Sequence, residues 1–298
     1  MAPLADELGR LAGRWATWWP GVDTRAMAAD VRDRLEQATE AWELGEVTPF
    51  GAGEVALVCS ALRAAAPVVV KVTPRGHPDD AWLRAESEAL AFWAPTGAVP
   101  RLLGVRDGAA TLLMERLRPG TTLDEAALPF AEHLLVLGRL AAQLHGSGPP
   151  PDSIPHIAEY AHDWRRALAG EPALLAELDE LCAPAPSDVL IHADLHGANA
   201  LRHGEEWLAI DPHAVRADRN ADVWALLDPL VPEVAGRDQA REWVGRYAAA
   251  ARLDPDRAAA WARLRARAEA LQIDAQERPP DGDRAWAERL HRIADALI

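Results

Sequence analysis

Three oxygen-bearing side chains, Asp194, Asn199 and Asp211, occur within one stretch of the sequence, VLIHADLHGANALRHGEEWLAIDPHAVRADRNADVW, which covers residues 189–224. Two apolar runs in it, residues 189–191 and 207–210, predict short buried strands, and an acidic residue follows each. A carboxylate just past a buried strand lies at the rim of a sheet, where a ligand can reach it. Carboxylate and amide oxygens suit Mg²⁺, so the stretch predicts a magnesium–phosphate site in which one Asp is left to accept a proton.

The spacing H-x-D-x-x-x-x-N, followed by an apolar run and a second Asp, is typical of the catalytic loop and the metal-binding Asp of kinases. A single Asp after a strand is more often a turn former than a catalyst, so the prediction depends on the whole pattern. A zinc site is the alternative, because the stretch also contains His192, His196, His203 and His213. It lacks a helical H-E-x-x-H pair, however. His192 is expected to pack beneath the loop and to hydrogen-bond its backbone.

A second group of residues suited to phosphate binding lies near the N-terminus. Residues 43–73 alternate in polarity and are rich in Val, which predicts three antiparallel strands. The turn Gly51-Ala52-Gly53 joins the first two of these strands. Its glycines let backbone N–H groups approach an anion closely, although hairpin turns use glycine for other reasons too.

Lys71 lies in the apolar run of residues 68–72, and a buried ammonium group needs a partner. In the helix predicted next, Glu86 is the charged residue on a face otherwise formed by Leu83, Leu90 and Trp93. The sequence therefore predicts a buried Lys71–Glu86 pair that presents Lys71 to the phosphates of a nucleotide. The alternative is two unrelated charges that reach solvent.

The remaining elements surround these two groups. Two leading helices are expected to cover the N-terminal sheet, which two more strands near residues 101–105 and 110–114 complete. Pro119-Gly120 marks a connector, after which the chain is mostly helical. The predicted division is an N-terminal lobe of residues 1–115 and a C-terminal lobe of residues 116–298. The later helices are expected near residues 131–145, 157–182, 221–230, 238–252, 255–276 and 283–297.

Composition excludes several classes of protein. The chain has 298 residues, of which 49% are hydrophobic, so it is long enough for a substantial core. A net charge of −15 argues against nucleic acid as a partner and suits a cationic small molecule, although it also suits plain solubility. No apolar run approaches the roughly 20 residues that span a bilayer, so we expect no membrane segment and a cytoplasmic location. Cys59 and Cys182 are too few for a disulfide framework.

In order and in detail, these parts resemble the aminoglycoside phosphotransferases, a family with a protein-kinase-like fold. The matching segments span most of residues 43–228 and are TPFGAGEVALV, PVVVKV, LLMERL, VLIHADLHGANAL and WLAIDP. The branch that is most similar contains the streptomycin 6-phosphotransferases and the hydroxyurea-resistance proteins. The resemblance implies an α+β bilobal fold, with an antiparallel nucleotide-binding sheet in the first lobe and a mainly helical second lobe.

The resemblance also implies a role for each matching residue. Asp194 would accept the proton of the substrate hydroxyl or orient it, and Asn199 and Asp211 would hold Mg²⁺. Lys71, fixed by Glu86, would contact the α and β phosphates of ATP or GTP. The turn of residues 51–53 would cover those phosphates, although it lacks a third glycine.

A further set of residues would form the adenine pocket. Met114 would lie at its back, and the Glu115 carbonyl and the Leu117 N–H would bond the base. Three apolar side chains, Val69, Leu201 and Ile210, would contact the two faces of the base. Residues of this kind more often belong to the hydrophobic core. Asp222 resembles the structural Asp that holds the catalytic loop in this family. Pro212 replaces the Phe-Gly of protein kinases, which argues against a regulated activation loop.

The predicted function is ATP-dependent phosphorylation of a hydroxyl group that inactivates a streptomycin-like aminoglycoside antibiotic. Two alternatives stay open: a kinase of the same fold that acts on a small metabolite such as an amino alcohol or a sugar, and a non-catalytic nucleotide-binding protein. A cationic acceptor needs carboxylates that face Asp194. The candidates are Asp228, Glu233, Asp274 and Glu277, each of which is more typical of solvated surface.

Overall fold

The fold consists of two compact units, Met1–Gly120 and Thr121–Ile298, in a computed structural model of the chain. The structure describes residues 2–50, 55–76, 80–228, 232, 234–276, 279 and 282–298, with backbone alone for residues 2 and 80–84. The lobe boundary that the sequence suggested, between residues 115 and 116, remains a prediction.

A five-stranded antiparallel sheet forms the centre of the first unit. Its strands are β1 (Leu44–Pro49), β2 (Leu57–Arg63), β3 (Ala66–Val72), β4 (Leu102–Arg106) and β5 (Thr111–Glu115). They are hydrogen-bonded to one another in the order β1-β2-β3-β5-β4. Alternate residues of β3 point to opposite faces of the sheet. Val68, Val70 and Val72 lie in the buried core, so Val69 and Lys71 share the other face.

Two helices, α1 (Ala2–Trp18) and α2 (Thr24–Ala41), cover the core face of this sheet, as the sequence predicted. The amphipathic spacing of their apolar residues produces this packing. Arg34 of α2 is buried and donates hydrogen bonds to the Thr73 carbonyl at 2.7 Å and the Ala110 carbonyl at 3.0 Å. A third helix, α3 (Asp80–Trp93), follows β3 and contacts β4.

The second unit is mainly helical. Its helices are α4 (Phe130–His145), α5 (Ile157–Tyr160), α6 (His162–Ala167), α7 (Pro172–Leu181), α8 (Arg237–Ala251), α9 (Pro255–Asp274) and α10 (Asp283–Ala296). The short strands from the connector onward are β6 (Pro119–Thr122), β7 (Val189–Ile191), β8 (Ala200–His203), β9 (Glu206–Ala209) and β10 (Val215–Ala217). They form two small sheets, of order β6-β8-β9 and β10-β7. None of the helices in the described ranges combines the length and the apolar character needed to cross a membrane.

The helix predicted at residues 221–230 is wrong for the part that is described. Two separate 3₁₀ turns, Arg219–Ala221 and Trp224–Leu226, occupy this region. The Asp218 carboxylate accepts the Asn220 N–H at 3.0 Å, an arrangement that competes with a continuous helix. The structural reason for the break is that Asp222, between the two turns, directs its side chain at a loop elsewhere in the unit.

Close packing of α4 against α8 depends on Gly138. A Cβ at this position would lie 2.6 Å from the Ala250 Cβ and 3.0 Å from the Tyr247 carbonyl oxygen. We expect Gly138→Ala to lower the free energy of unfolding by about 1–3 kcal/mol, because the clash outweighs the better helix propensity of Ala. Urea unfolding would measure the change. Gly13→Ala in α1 is the matched control, since nothing lies within 4 Å there, and an equal gain in stability for both variants would contradict the packing argument.

Candidate active site

The first unit contains a buried ion pair on the face of the sheet opposite α1 and α2. Lys71 Nζ lies 2.6 Å from Glu86 Oε2, and the two residues are 5% and 2% exposed. This is the pair that the sequence predicted, and the alternative of two unrelated solvated charges is wrong. Burying either charge alone would be strongly unfavourable, so β3 and α3 hold the pair in place together.

Residues of the predicted adenine pocket lie beside Lys71 in the sheet. Val69 is directly opposite Met114 in the antiparallel register of β3 and β5, so their side chains are on the same face. Val69 is only half-buried, whereas Met114 and Leu117 are buried. The Glu115 N–H donates to the Arg101 carbonyl at 3.0 Å within the first unit. The predicted phosphate-covering turn, Gly51, Ala52 and Gly53, lies outside the described residues.

In the second unit, a fully buried carboxylate, Asp222, holds the loop that follows β7. Asp222 accepts the His192 N–H at 3.2 Å and the Ala193 N–H at 3.0 Å. His145 Nε2 lies 3.0 Å from the same carboxylate. Burial raises the pKa of Asp222, but the hydrogen bond and charge of His145 and the neighbouring His192 outweigh it, and the pKa is held below its usual 3.8. The loop geometry therefore rests on an ionised, fully bonded Asp222.

Asn199 holds Asp194 in that loop. The Asn199 Nδ2 group donates to the Asp194 carbonyl at 2.9 Å and to Asp194 Oδ2 at 3.0 Å. The Asn199 N–H donates to the His196 carbonyl at 3.0 Å, which closes the turn between the two residues. With the amide nitrogen used in this way, Oδ1 is the atom of Asn199 that has the chemistry of a metal ligand.

His192 joins this loop to the segment that carries Asp211. Its Nδ1 accepts the Asp194 N–H at 3.3 Å, so the ring proton is on Nε2, which lies 2.9 Å from the Ile210 carbonyl. The Ile210 N–H in turn donates to the Asn199 carbonyl at 2.9 Å. Asp211, directly after Ile210, is therefore held near Asn199 by two backbone bridges. His192 hydrogen-bonds the loop backbone, as the sequence predicted.

Two residues of this region have a left-handed backbone that L-amino acids rarely adopt. Ala193 has φ 63° and Asp211 has φ 56°. Each such conformation costs on the order of 1–3 kcal/mol and persists only where surrounding bonds enforce it. Here the bonds to Asp222 and His192 enforce it, and strain of this kind is common at functional sites.

The neutral state of His192 has a consequence for acid stability. Burial lowers the pKa of His192 below its usual 6.5, and the charges of Asp222 and Asp194 oppose this only in part. A lowered pKa contributes stability that is fully present above pH 6.5 and is lost as pH falls toward the pKa of the folded state. We expect the His192 ring to remain neutral in NMR titrations as pH falls below 6.5, while the free energy of unfolding decreases. An ordinary titration near 6.5 would contradict the assigned bonds.

A cavity of about 300 Å³ lies beside Asp194 in the second unit. His196 separates the two: its Nε2 is 3.9 Å from Asp194 Oδ2, and its Nδ1 is 2.7 Å from Asp228 Oδ2, although out of line for a regular hydrogen bond. Asp124 approaches the same loop closely, since a Cβ on Gly197 would lie 1.7 Å from its Oδ1. The cavity is lined by Asp124, Leu128, Phe130, His133, Leu137, His196, Gly197, Ala225, Asp228 and Pro232.

The ionisable residues around this cavity shift one another's pKa values. Burial and the charge of Asp228 raise the pKa of Asp124 above 3.8. Burial lowers the pKa of His196, but Asp228, Asp194 and Asp124 together outweigh it, and the net pKa is raised above 6.5. The result is a pocket in which the Asp124 and Asp228 carboxylates lie close to two imidazoles, with His196 Nδ1 2.7 Å from Asp228 Oδ2 and His133 Nδ1 3.9 Å from Asp124 Oδ1.

Asp228 corrects a prediction from the sequence. It was expected on solvated surface, yet it is 8% exposed and lines the cavity. The 3₁₀ turn before it directs the side chain inward, which the residue type alone did not indicate. Asp274 is at the surface as expected, with a side chain that is 52% exposed and lies 2.8 Å from His291. The other two acidic candidates, Glu233 and Glu277, lie outside the described residues.

The sequence did not predict three residues that hold the loop in place: His145, Tyr247 and Arg265. Tyr247 of α8 donates to the Asp222 carbonyl at 2.6 Å. Arg265 of α9 donates to the Ala193 carbonyl at 3.3 Å and lies between two indole rings, those of Trp164 and Trp224. The only signal in the sequence was a polar residue among apolar helix positions.

The zinc alternative finds no support in this geometry. His192 is used in backbone hydrogen bonds and His196 contacts carboxylates of the cavity. Within the described ranges, no three His, Cys, Asp or Glu side chains are grouped to hold a metal ion. The pair of Asn199 and Asp211 is a different kind of donor set, with an amide and a carboxylate oxygen, and that set fits Mg²⁺.

The sequence model of a family described as "Aminoglycoside/hydroxyurea antibiotic resistance kinase" matches residues 42–276 of the chain. This range includes β1 to β10 and most of the helices of the second unit. The chain belongs to this family. It is therefore a small-molecule kinase, and the predicted family and type of enzyme are confirmed. No curated protein sequence matches it.

Solved structures share the fold at low sequence identity. A choline/ethanolamine kinase family protein from Mesorhizobium loti has a TM-score of 0.59 at 18% identity, over 90% of this chain and 95% of that chain. Choline kinase LicA from Streptococcus pneumoniae has a TM-score of 0.58 at 14% identity, over 89% and 98%. A mutant of aminoglycoside phosphotransferase APH(4)-Ia has a TM-score of 0.58 at 19% identity, over 88% and 97%. The likeness confirms the α+β kinase-like fold and extends to the fold alone.

Proposed function

We propose that this kinase transfers the γ-phosphoryl group of ATP to a hydroxyl of a cationic aminoglycoside of the streptomycin type. The observation that carries the proposal is the cavity beside Asp194, which Asp124 and Asp228 line together. Carboxylates in such a pocket attract amino and guanidino groups, and a carboxylate can accept two parallel hydrogen bonds from one guanidinium group in a bidentate pair.

Asp194 is the catalytic residue of this proposal. Its carboxylate would accept the proton of the acceptor hydroxyl or orient that hydroxyl for in-line attack. The new bond joins the hydroxyl oxygen to the γ-phosphorus, the bond from the γ-phosphorus to the bridging oxygen breaks, and ADP leaves. The Asn199 amide supports this role because it bonds Asp194 Oδ2 and fixes the direction of the carboxylate.

Each unit would contribute to nucleotide binding. On the first unit, Lys71 would contact the α and β phosphates, with Glu86 fixing its position and with the turn of residues 51–53 above them. On the second unit, Asn199 and Asp211 would hold Mg²⁺, which offsets phosphate charge when it is bound. The adenine contacts are proposed for Val69, Met114, Glu115, Leu117, Leu201 and Ile210. Structures of LicA with AMP and of APH(4)-Ia with ADP and hygromycin B support a nucleotide and a small acceptor for this fold.

The cavity favours an aminoglycoside over a quaternary amine. A quaternary ammonium has no N–H donor and is recognised through the faces of several aromatic rings. The described lining contains one aromatic side chain, Phe130, whose ring packs edge-on against Trp243 with centroids 4.8 Å apart. Two carboxylates instead suit a cation that donates several hydrogen bonds.

A substrate panel tests the proposal. The protein would be incubated with Mg²⁺ and ATP or GTP, with streptomycin, other aminoglycosides, choline and amino sugars as acceptors. Mass spectrometry would then detect the added phosphate. We expect phosphorylated streptomycin or a relative. Phosphorylation of an amino alcohol or a sugar, with every aminoglycoside unmodified, would replace the proposal with the metabolite-kinase alternative.

Asp228→Asn tests the acidic pocket itself. Losing one charged contact to the acceptor is expected to raise KM for a cationic acceptor by about tenfold or more, with KM for ATP unchanged. Steady-state kinetics on both substrates would measure this. Asp274→Asn, at the surface on α9, is the matched control and should leave both constants unchanged. An equal effect of Asp228→Asn on a neutral acceptor would point to a structural role for the carboxylate instead.

A further inference from the structure

Gly197 of the catalytic loop leaves room for the Asp124 carboxylate in the cavity beside Asp194. A Cβ at Gly197 would lie 1.7 Å from Asp124 Oδ1, 2.5 Å from its Cγ and 3.1 Å from its Oδ2. These are the three atoms nearest to that Cβ position within the described part of the chain. The φ of Gly197 lies outside the left-handed region, so Ala could adopt the same backbone. An added methyl group at this position would therefore collide with one carboxylate and would not strain the loop itself.

The backbone on both sides of Asp124 is held by hydrogen bonds. Before it, the Leu123 N–H donates to the Gly197 carbonyl at 3.1 Å, which joins this segment to the catalytic loop. After it, the Glu125 N–H donates to Thr122 Oγ1 at 3.2 Å, and the Thr122 N–H donates to Glu125 Oε2 at 2.9 Å. A group that takes the space of the carboxylate would thus turn the Asp124 side chain away and leave its backbone in place.

The Asp124 carboxylate has unused capacity to accept hydrogen bonds. Its side chain is only 21% exposed, and His133 Nδ1 is 3.9 Å from Oδ1, which is too far for a hydrogen bond. No group in the described ranges donates a hydrogen bond to this carboxylate. Burial and the charge of Asp228 raise the pKa of Asp124 above its usual 3.8. A ligand that brings positive charge and N–H donors into the cavity would offset both effects.

We propose that Gly197 determines the specificity of this kinase for a cationic acceptor, because its missing side chain lets Asp124 pair with an amino or guanidino group in the cavity. The inference rests on the proposed function, in which this cavity holds the acceptor. Asp228 already has His196 Nδ1 beside it at 2.7 Å, whereas Asp124 depends on the acceptor for its hydrogen-bond donors.

A double-mutant cycle tests the proposal. Gly197→Ala, Asp124→Ala and the variant with both changes would be compared by steady-state kinetics on the acceptor that the substrate panel identifies. Each single change is expected to raise KM for that acceptor by about tenfold or more, the effect of losing a charged hydrogen bond. In the Asp124→Ala background, Gly197→Ala should add almost nothing, because no carboxylate is left to displace. An unchanged KM in Gly197→Ala, or the same further rise in both backgrounds, overturns the proposal.

The matched control is Gly245→Ala in α8, where nothing described lies within 4 Å of an added Cβ. This variant should bind the acceptor as the unaltered protein does. If it raised KM as much as Gly197→Ala does, the effect would not come from Asp124, and the proposal would be wrong.

Carbon-13 NMR of the Asp124 carboxyl group separates this inference from the proposed function, since the measurement needs no acceptor. The pKa of Asp124 should fall toward 3.8 in Gly197→Ala as the side chain leaves the cavity. An unchanged pKa overturns the inference even where streptomycin is phosphorylated. Phosphorylation of an amino sugar in place of every aminoglycoside overturns the proposed function alone, and the cycle is then measured on that sugar. A panel in which no cationic acceptor is phosphorylated overturns both.

Discussion

Replacing Asp194 with Asn is expected to lower kcat for phosphoryl transfer by about 10²- to 10⁴-fold, the usual contribution of a positioned base. Asn has nearly the same shape and can still accept the hydrogen bond that Asn199 Nδ2 donates at 3.0 Å. The loop should therefore keep its geometry while losing the group that accepts the hydroxyl proton. Single-turnover kinetics and the Kd for ATP would be measured together.

The control for this prediction is an acidic residue outside the loop. Asp163→Asn, which removes an exposed carboxylate paired with Arg166, should leave kcat unchanged. The Kd for ATP should be similar in both variants and in the unaltered protein. A small change in kcat for Asp194→Asn, with a properly folded protein, would remove Asp194 from the catalytic role.

Lys71→Met is expected to lower the free energy of unfolding by about 3–5 kcal/mol, because it leaves the Glu86 carboxylate buried without its ammonium partner. The prediction rests on a contact of 2.6 Å between residues that are at most 5% exposed. Urea unfolding followed by circular dichroism would measure the loss. Phosphoryl transfer should also be lost, since Lys71 is the proposed phosphate contact.

The double variant Lys71→Met, Glu86→Leu separates stability from function. Removing both charges leaves no uncompensated ion, so the protein should regain much of the stability lost in Lys71→Met. Phosphoryl transfer should stay lost. If the double variant were less stable than either single variant, the two side chains would act independently, and the paired arrangement would not explain their burial.

The Lys71–Glu86 pair could be predicted from the sequence because the burial of each residue follows from its immediate neighbours in the chain. The apolar run of a strand placed Lys71 among buried positions, and the helical spacing of apolar residues placed Glu86 on a buried face. The high free energy of a lone buried charge then joined the two. The placement of Asp194, Asn199 and Asp211 beside short strands was predictable for the same reason. All three lie within residues 194–211, so the apolar runs between them indicate where each falls relative to a strand.

Other parts of the site depend on contacts between segments that are far apart in the sequence. The periodic spacing of apolar residues within one helix or strand does not predict such contacts. Asp228 was expected at the surface because an acidic residue usually is, yet the packing around the cavity buries it. His145 was predicted only as the last residue of a helix, and its bond to Asp222 spans 77 residues. Arg265 reaches the Ala193 carbonyl across 72 residues. Such partners follow from how helices pack, which a single sequence does not specify.

The supports of the catalytic loop come from both sides of it in the sequence, and this affects the chain during its synthesis. A ribosome releases the loop of residues 192–199 before it has made Tyr247 of α8 or Arg265 of α9, both of which bond the loop or its Asp222. The left-handed backbone of Ala193 then lacks the contacts that enforce it. Nascent chains that end before α9 should therefore be inert, and the enzyme should become competent only once α9 has been made and packed against the loop.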